Sequence, residues 1–121
     1  MATILIIDDA ADVRDTLRTI LEMSGHRVIE AADGRAGIAA YAAERPGLVV
    51  TDLNMPGMNG IATVTALFTA DPNARVIVMT GSGDPPGALP PELKGRITWM
   101  TKPFRRATLL EAIAQVLGHR A

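Results

Sequence analysis

Cysteine is absent from the 121 residues, which excludes disulfides, thiolate catalysis and Cys-ligated zinc. An excess of charge is also missing. Twelve Lys and Arg against 13 Asp and Glu leave a net −1, so no basic field favours direct binding of nucleic acid. No apolar run approaches the ~20 residues that span a bilayer. The opening MATILIIDD lacks the basic segment of a signal peptide, and its apolar run is short. A cytoplasmic location, without membrane contact, is therefore expected for a bacterial chain. Histidine is scarce too: His26 and His119 are far apart and read as surface residues, one at a strand start and one in a tail. What is plentiful is apolar, with 48% hydrophobic against 21% charged residues. That balance describes a globular chain, of a size to form one domain burying roughly 65–70% of its unfolded surface.

Short apolar runs alternate with helical patterns from end to end. The strand candidates are ILII (4–7), RVIEA (27–31), LVVT (48–51), RVIVM (75–79) and ITWM (97–100). Between the first two, Val13, Leu17, Ile20 and Leu21 fall on one helical face, and Gly25 stops the pattern. A second, alanine-rich helix spans about 34–44, entered through the turn Asp33-Gly34 and left at Arg45-Pro46. Ile61, Val64 and Phe68 mark a third helix, which exits through Asp71-Pro72-Asn73. Leu109, Ile113, Val116 and Leu117 mark the last, over 105–117. A repeated βα unit with short connections predicts an α/β fold, a parallel sheet with helices on both faces.

One segment breaks the rhythm. GSGDPPGALPPELKG stands where a helix is due, and prolines 85, 86, 90 and 91 forbid a long one. A shortened turn beginning near Pro90 or Pro91 and closed by Gly95, or a proline-rich loop in its place, is the expectation.

The strand ends carry the chemistry. Strand one runs into Asp8 and Asp9, and strand three into Asp52, followed by LNMPGMNG. Ligands of a doubly wound sheet bind outside the carboxyl ends of its strands. If strands one and three are neighbours, as the flavodoxin-like order 2-1-3-4-5 of a five-stranded parallel sheet requires, three carboxylates converge there. Each like-charge pair at ~4 Å costs on the order of 4 kcal/mol at an effective dielectric of 20. Two readings follow. Either Asp8 or Asp9 caps the first helix or one acid is protonated, or a hard cation such as Mg²⁺ or Mn²⁺ offsets the charge; three acids at strand ends favour the second. Strand four is followed by Thr80-Gly81, a hydroxyl beside an unobstructed backbone. Strand five leads to Thr101-Lys102-Pro103, in a chain that uses arginine ten times and lysine twice. A carboxylate nucleophile, a divalent cation, a hydroxyl and an ammonium are the parts of phosphoryl transfer to an acid.

Asp8-Asp9, Asp52 within TDLNMPGMNG, Thr80-Gly81 and Lys102-Pro103-Phe104 together resemble the receiver domain of bacterial two-component response regulators, of the stand-alone chemotaxis type. Each motif alone is weak, but the ordered set spans the chain and is specific. The resemblance implies that Asp52 accepts a phosphoryl group from a histidine kinase or histidine phosphotransfer protein. It implies that Asp9, Asp52 and the backbone carbonyl of Asn54 ligate Mg²⁺, with Asp8 acting mainly through water. Thr80 and Lys102 would bind the phosphoryl oxygens. Thr80 and Trp99 would form the switch that alters a surface for a downstream target protein. The pattern ends with its last helix, so the expectation is a single receiver over 1–121 with no output domain, acting through protein partners or in a relay; an excised part of a longer protein is the alternative.

Rival functions fit less well. A haloacid-dehalogenase-type phosphatase also forms an aspartyl phosphate, but needs a second acid where this chain has Asn54. A flavin-binding domain wants a hydroxyl- or glycine-rich loop after strand one, and DDAADV supplies acids. A receiver fold kept as an unphosphorylated interaction module remains an alternative. So does a plainer role for Trp99, as a partly buried residue of an edge strand. Arg105-Arg106 read as a solvated helix start, and Met55 and Met58 as loop packing.

Overall fold

The computed structural model of the chain describes residues 2–53, 60–80, 96–101 and 104–117. Five strands, β1 (Thr3–Ile7), β2 (Arg27–Ala31), β3 (Leu48–Asp52), β4 (Val76–Thr80) and β5 (Ile97–Thr101), form one sheet. All neighbours are parallel, and the order is β2-β1-β3-β4-β5. The described helices are α1 (Ala11–Met23), α2 (Gly34–Glu44), α3 (Gly60–Ala70) and α4 (Arg106–Val116). This is the flavodoxin-like arrangement that the βα alternation predicts. Among the described residues no helix is long and apolar enough to cross a membrane. The expected short turn within 82–95 lies outside them.

Successive residues of each strand point to opposite faces of the sheet, and so build two cores. Leu5, Ile7, Val49, Val76 and Val78 meet Tyr41, Val64, Leu67 and Phe68 of α2 and α3 on one side. Ile4, Ile6, Leu48, Val50, Ile77 and Met79 meet Leu17, Leu21, Leu109 and Ile113 of α1 and α4 on the other. Central strands buried on both faces need continuous apolar runs, which is why ILII, LVV and VIVM carry no polar alternation.

Local chemistry ends the helices where the pattern suggests. Asp33 caps α2, its side chain accepting from the Ala36 N–H at 2.8 Å. Arg45 closes α2 in the left-handed region (φ 48°), its N–H bonded to the Tyr41 carbonyl at 2.9 Å. Asp71 turns the chain out of α3, accepting at its carbonyl from Ala74 N–H and at its side chain from Asn73 N–H, both at 3.0 Å. The N-cap of α1 is Ala10, so neither Asp8 nor Asp9 occupies the capping position.

The strand ends differ from the sequence pattern by one residue. β3 extends to Asp52, β4 to Thr80 and β5 to Thr101, since the parallel ladder continues through Asp52↔Met79 and Thr80↔Thr101. The acid and the hydroxyl are thus the last residues of paired strands.

Candidate functional site

Register brings the acids together. Ile7 pairs with Thr51, so Asp8, the first residue beyond β1, and Asp52, the last residue of β3, stand side by side at the sheet's edge. Carboxylate oxygens of Asp8, Asp9 and Asp52 all lie within 4.8 Å of one another. Asp8 and Asp52 are buried, at 0% and 6% exposure, while Asp9 is exposed. Thr80, buried and one residue beyond the partner of Asp52 in β4, ends the next strand.

Asp8 is held at several points. Its N–H donates to the Ala31 carbonyl at 3.1 Å, and its Oδ1 accepts from the Ala10 N–H at 2.9 Å. Its carbonyl accepts from the Arg14 guanidinium at 2.6 Å. On the Asp52 side, the Leu53 N–H donates to the Met79 carbonyl, and the Gly60 N–H returns to the Leu53 carbonyl, both at 3.0 Å. A Cβ on Gly60 would fall on the Leu53 backbone, 2.5 Å from its Cα, so only glycine lets α3 begin this close to the acid.

The donor set fits a small hard cation. It is all oxygen and carries three formal negative charges, with the exposed Asp9 leaving a side open to water, as Mg²⁺ prefers. Trp99 is half-buried on the edge strand and packs on the core that faces α2 and α3. Val78 pairs with Trp99, and Thr80 lies two residues further along β4, so Thr80 and Trp99 share one face of the sheet.

Comparison with known proteins agrees with this geometry. A family model described as the response regulator receiver domain matches residues 4–114. The chain belongs to that family. The receiver is 36% identical over 120 residues to Protein CcdB of Bacillus subtilis, covering 98% of this chain and 100% of that protein. It is 34% identical over 114 residues to the chemotaxis protein CheY of Thermotoga maritima, covering 93% and 95%. Among solved structures, CheY4 of Vibrio cholerae superposes with a TM-score of 0.87 at 30% identity, covering 96% of this chain and 98% of that one. A receiver is the phosphoacceptor switch of two-component signalling, and that is the class of this protein.

Of the residues singled out in the sequence, Asp8, Asp9 and Asp52 are brought together, Thr80 ends the neighbouring strand, and Trp99 lies behind Thr80 on the same face. Asn54, Gly81, Lys102 and Pro103 lie outside the described residues, as does His119. His26 accepts a 3.2 Å hydrogen bond from the Ala2 N–H through Nδ1, remote in the fold from the acids at the opposite ends of the strands. Arg105 and Arg106 are exposed, at the start of α4. Sequence reasoning passed over Arg14. The available signal was a cation six residues after Asp8, where the first turn of α1 closes beside the acid pair.

Proposed function

We propose that Asp52 is the residue phosphorylated in this receiver, with Mg²⁺ (or Mn²⁺) held by Asp9, Asp52 and the backbone carbonyl of Asn54, and with Asp8 acting through water. The observation that carries this is the convergence of three carboxylates, two of them buried, at the carboxyl edge of the sheet beside a buried threonine. A cation at these oxygens supplies positive charge that offsets the acids and the incoming phosphoryl oxygens.

The chain's own residues do the rest. An Asp52 carboxylate oxygen attacks phosphorus in line as the P–N bond to a donor imidazole breaks, and the electron pair of that bond leaves with the imidazole nitrogen. The Thr80 hydroxyl and the Lys102 ammonium bind phosphoryl oxygens, sharing charge that spreads over them in the transition state. The donor is a histidine kinase or histidine phosphotransfer protein, and the readout is a changed surface for a downstream protein in the cytoplasm. The domain catalyses its own phosphorylation and its own hydrolysis back to the free acid, and is not an enzyme acting on a separate substrate.

Acetyl phosphate, a small donor, tests this without the cognate kinase. With Mg²⁺ it should add one phosphoryl group to the intact mass, and Asp52→Asn or EDTA should prevent it. Equal labelling of the variant would move the acceptor elsewhere. No labelling of wild type would favour an unphosphorylated interaction module.

A further inference from the structure

Arg14 touches the acid site without contributing an acid to it. Its guanidinium donates through one terminal nitrogen to the Asp8 carbonyl at 2.6 Å and through Nε to Glu30 of β2 at 3.2 Å. The other oxygen of Glu30 accepts from Arg18, one turn further along α1, at 2.5 Å. Arg14 and Glu30 are mostly shielded, with side-chain exposures of 18% and 22%. The carbonyl that Arg14 grips belongs to the peptide unit joining Asp8 to Asp9, so its hold sets the plane from which both acids project.

We infer that Arg14 is a positioning residue for the cation site: held by Glu30, it fixes the Asp8–Asp9 peptide and so presents both carboxylates toward Asp52. This rests on the cation reading above. A guanidinium near a cation site should by charge alone weaken binding. Here Glu30 offsets that charge, and what remains is the rigid fork, which a planar, multiply donating group supplies and an ammonium does not. Groups that orient ligands in this way commonly change metal affinity 10–100-fold when removed.

Calorimetric titration of Mg²⁺ into wild type, Arg14→Met, Arg14→Lys and Glu30→Gln tests this, at about 0.1 M and about 1 M salt, where the Debye length falls from ~10 Å to ~3 Å. Arg14→Met should bind Mg²⁺ about tenfold more weakly at about 1 M salt, where only the geometric loss remains, and by less than that at about 0.1 M, where the Glu30 charge it leaves uncompensated attracts the cation. Arg14→Lys should fall between, since one ammonium cannot bridge the carbonyl and Glu30 in the same planar geometry. Glu30→Gln should show a smaller loss that shrinks at high salt, because it leaves the Arg14 charge uncompensated but keeps its grip on Asp8. A purely structural role would lower the melting temperature in EDTA and leave the affinity alone. Unchanged affinity in Arg14→Met at about 1 M salt, with wild type binding, overturns the inference. Should that variant fail to fold, Arg14→Lys and Glu30→Gln decide by the same criterion. A wild type that binds no Mg²⁺ removes the cation reading itself, and this inference with it.

Discussion

Tyr41 donates a 2.7 Å hydrogen bond to Asp71, thirty residues away in sequence, joining the last turn of α2 to the turn that follows α3. The ring is buried in the core facing these two helices, and its hydroxyl meets the carboxylate at the margin. Burial, then the bond to Asp71, pushes the phenol up to about 12. The same bond is the main cause holding the Asp71 carboxyl below its ordinary value. The two shifts have opposite consequences. The raised phenol contributes stability present below pH 10, its unfolded value, and lost as pH rises toward 12. The depressed carboxyl contributes stability present above its unfolded value of 3.8 and lost as pH falls through the folded one. Tyr41→Phe should therefore destabilise by about 1 kcal/mol near neutrality. The difference from wild type in urea unfolding should decline toward both pH extremes. A pH-independent difference would show that the ring matters and the hydroxyl does not.

Helix α2 lies so close to β1 that a Cβ on Gly37 would fall on the Ile7 side chain, 2.7 Å from its Cγ1. Ile7 is fully buried. Overpacking of this kind costs about 1–3 kcal/mol, more than the ~1 kcal/mol that alanine gains over glycine in a helix. Gly37→Ala should lower the melting temperature. Ile7→Val removes the nearest methyl, so the double variant should be more stable than the sum of the single losses. Strict additivity would show that the helix shifts away instead.

Three acids within 4.8 Å make the site a source of repulsion when no cation screens it. Asp52→Asn should raise the melting temperature in EDTA. Millimolar Mg²⁺ should stabilise wild type by about 2.7 kcal/mol at a hundredfold excess over its dissociation constant, and the variant by much less. Scanning calorimetry with and without Mg²⁺ reads both effects. Equal increments in the two proteins would place the cation elsewhere.

Trp99 is the single tryptophan, so fluorescence reports on it alone. Mg²⁺ with beryllofluoride, a phosphoryl mimic, should change its emission if the Thr80 hydroxyl moves toward Asp52 and opens space behind it. That is a shift between two packings, which needs only a few kcal/mol of preference. Thr80→Val keeps the volume and removes the hydroxyl, so it should bind the mimic with most of the spectral change lost. A full response in this variant would leave Trp99 as a packing residue.

Much of this protein is legible in its linear order. Apolar runs of four or five residues, helical stripes such as Val13, Leu17 and Leu21, and turn residues at Asp33-Gly34 and Asp71-Pro72-Asn73 are local features. Local backbone sterics and burial periodicity suffice to read them. The ordered acids, threonine and lysine at the ends of the first, third, fourth and fifth strands point to the family, because ligands of such a sheet bind outside the carboxyl ends of its strands. Other features belong to the tertiary structure. Strand order and register decide that Asp8 and Asp52 emerge side by side, since Ile7↔Thr51 is a pairing between residues 44 positions apart that no local period encodes. The Arg14 grip on Asp8 and its tie to Glu30 need a helix, a loop and a neighbouring strand at once. Sequence spacing sets which side chains share an element. Only packing of one element on another sets which polar groups meet, because the energies that select those contacts arise after the chain has brought distant segments together.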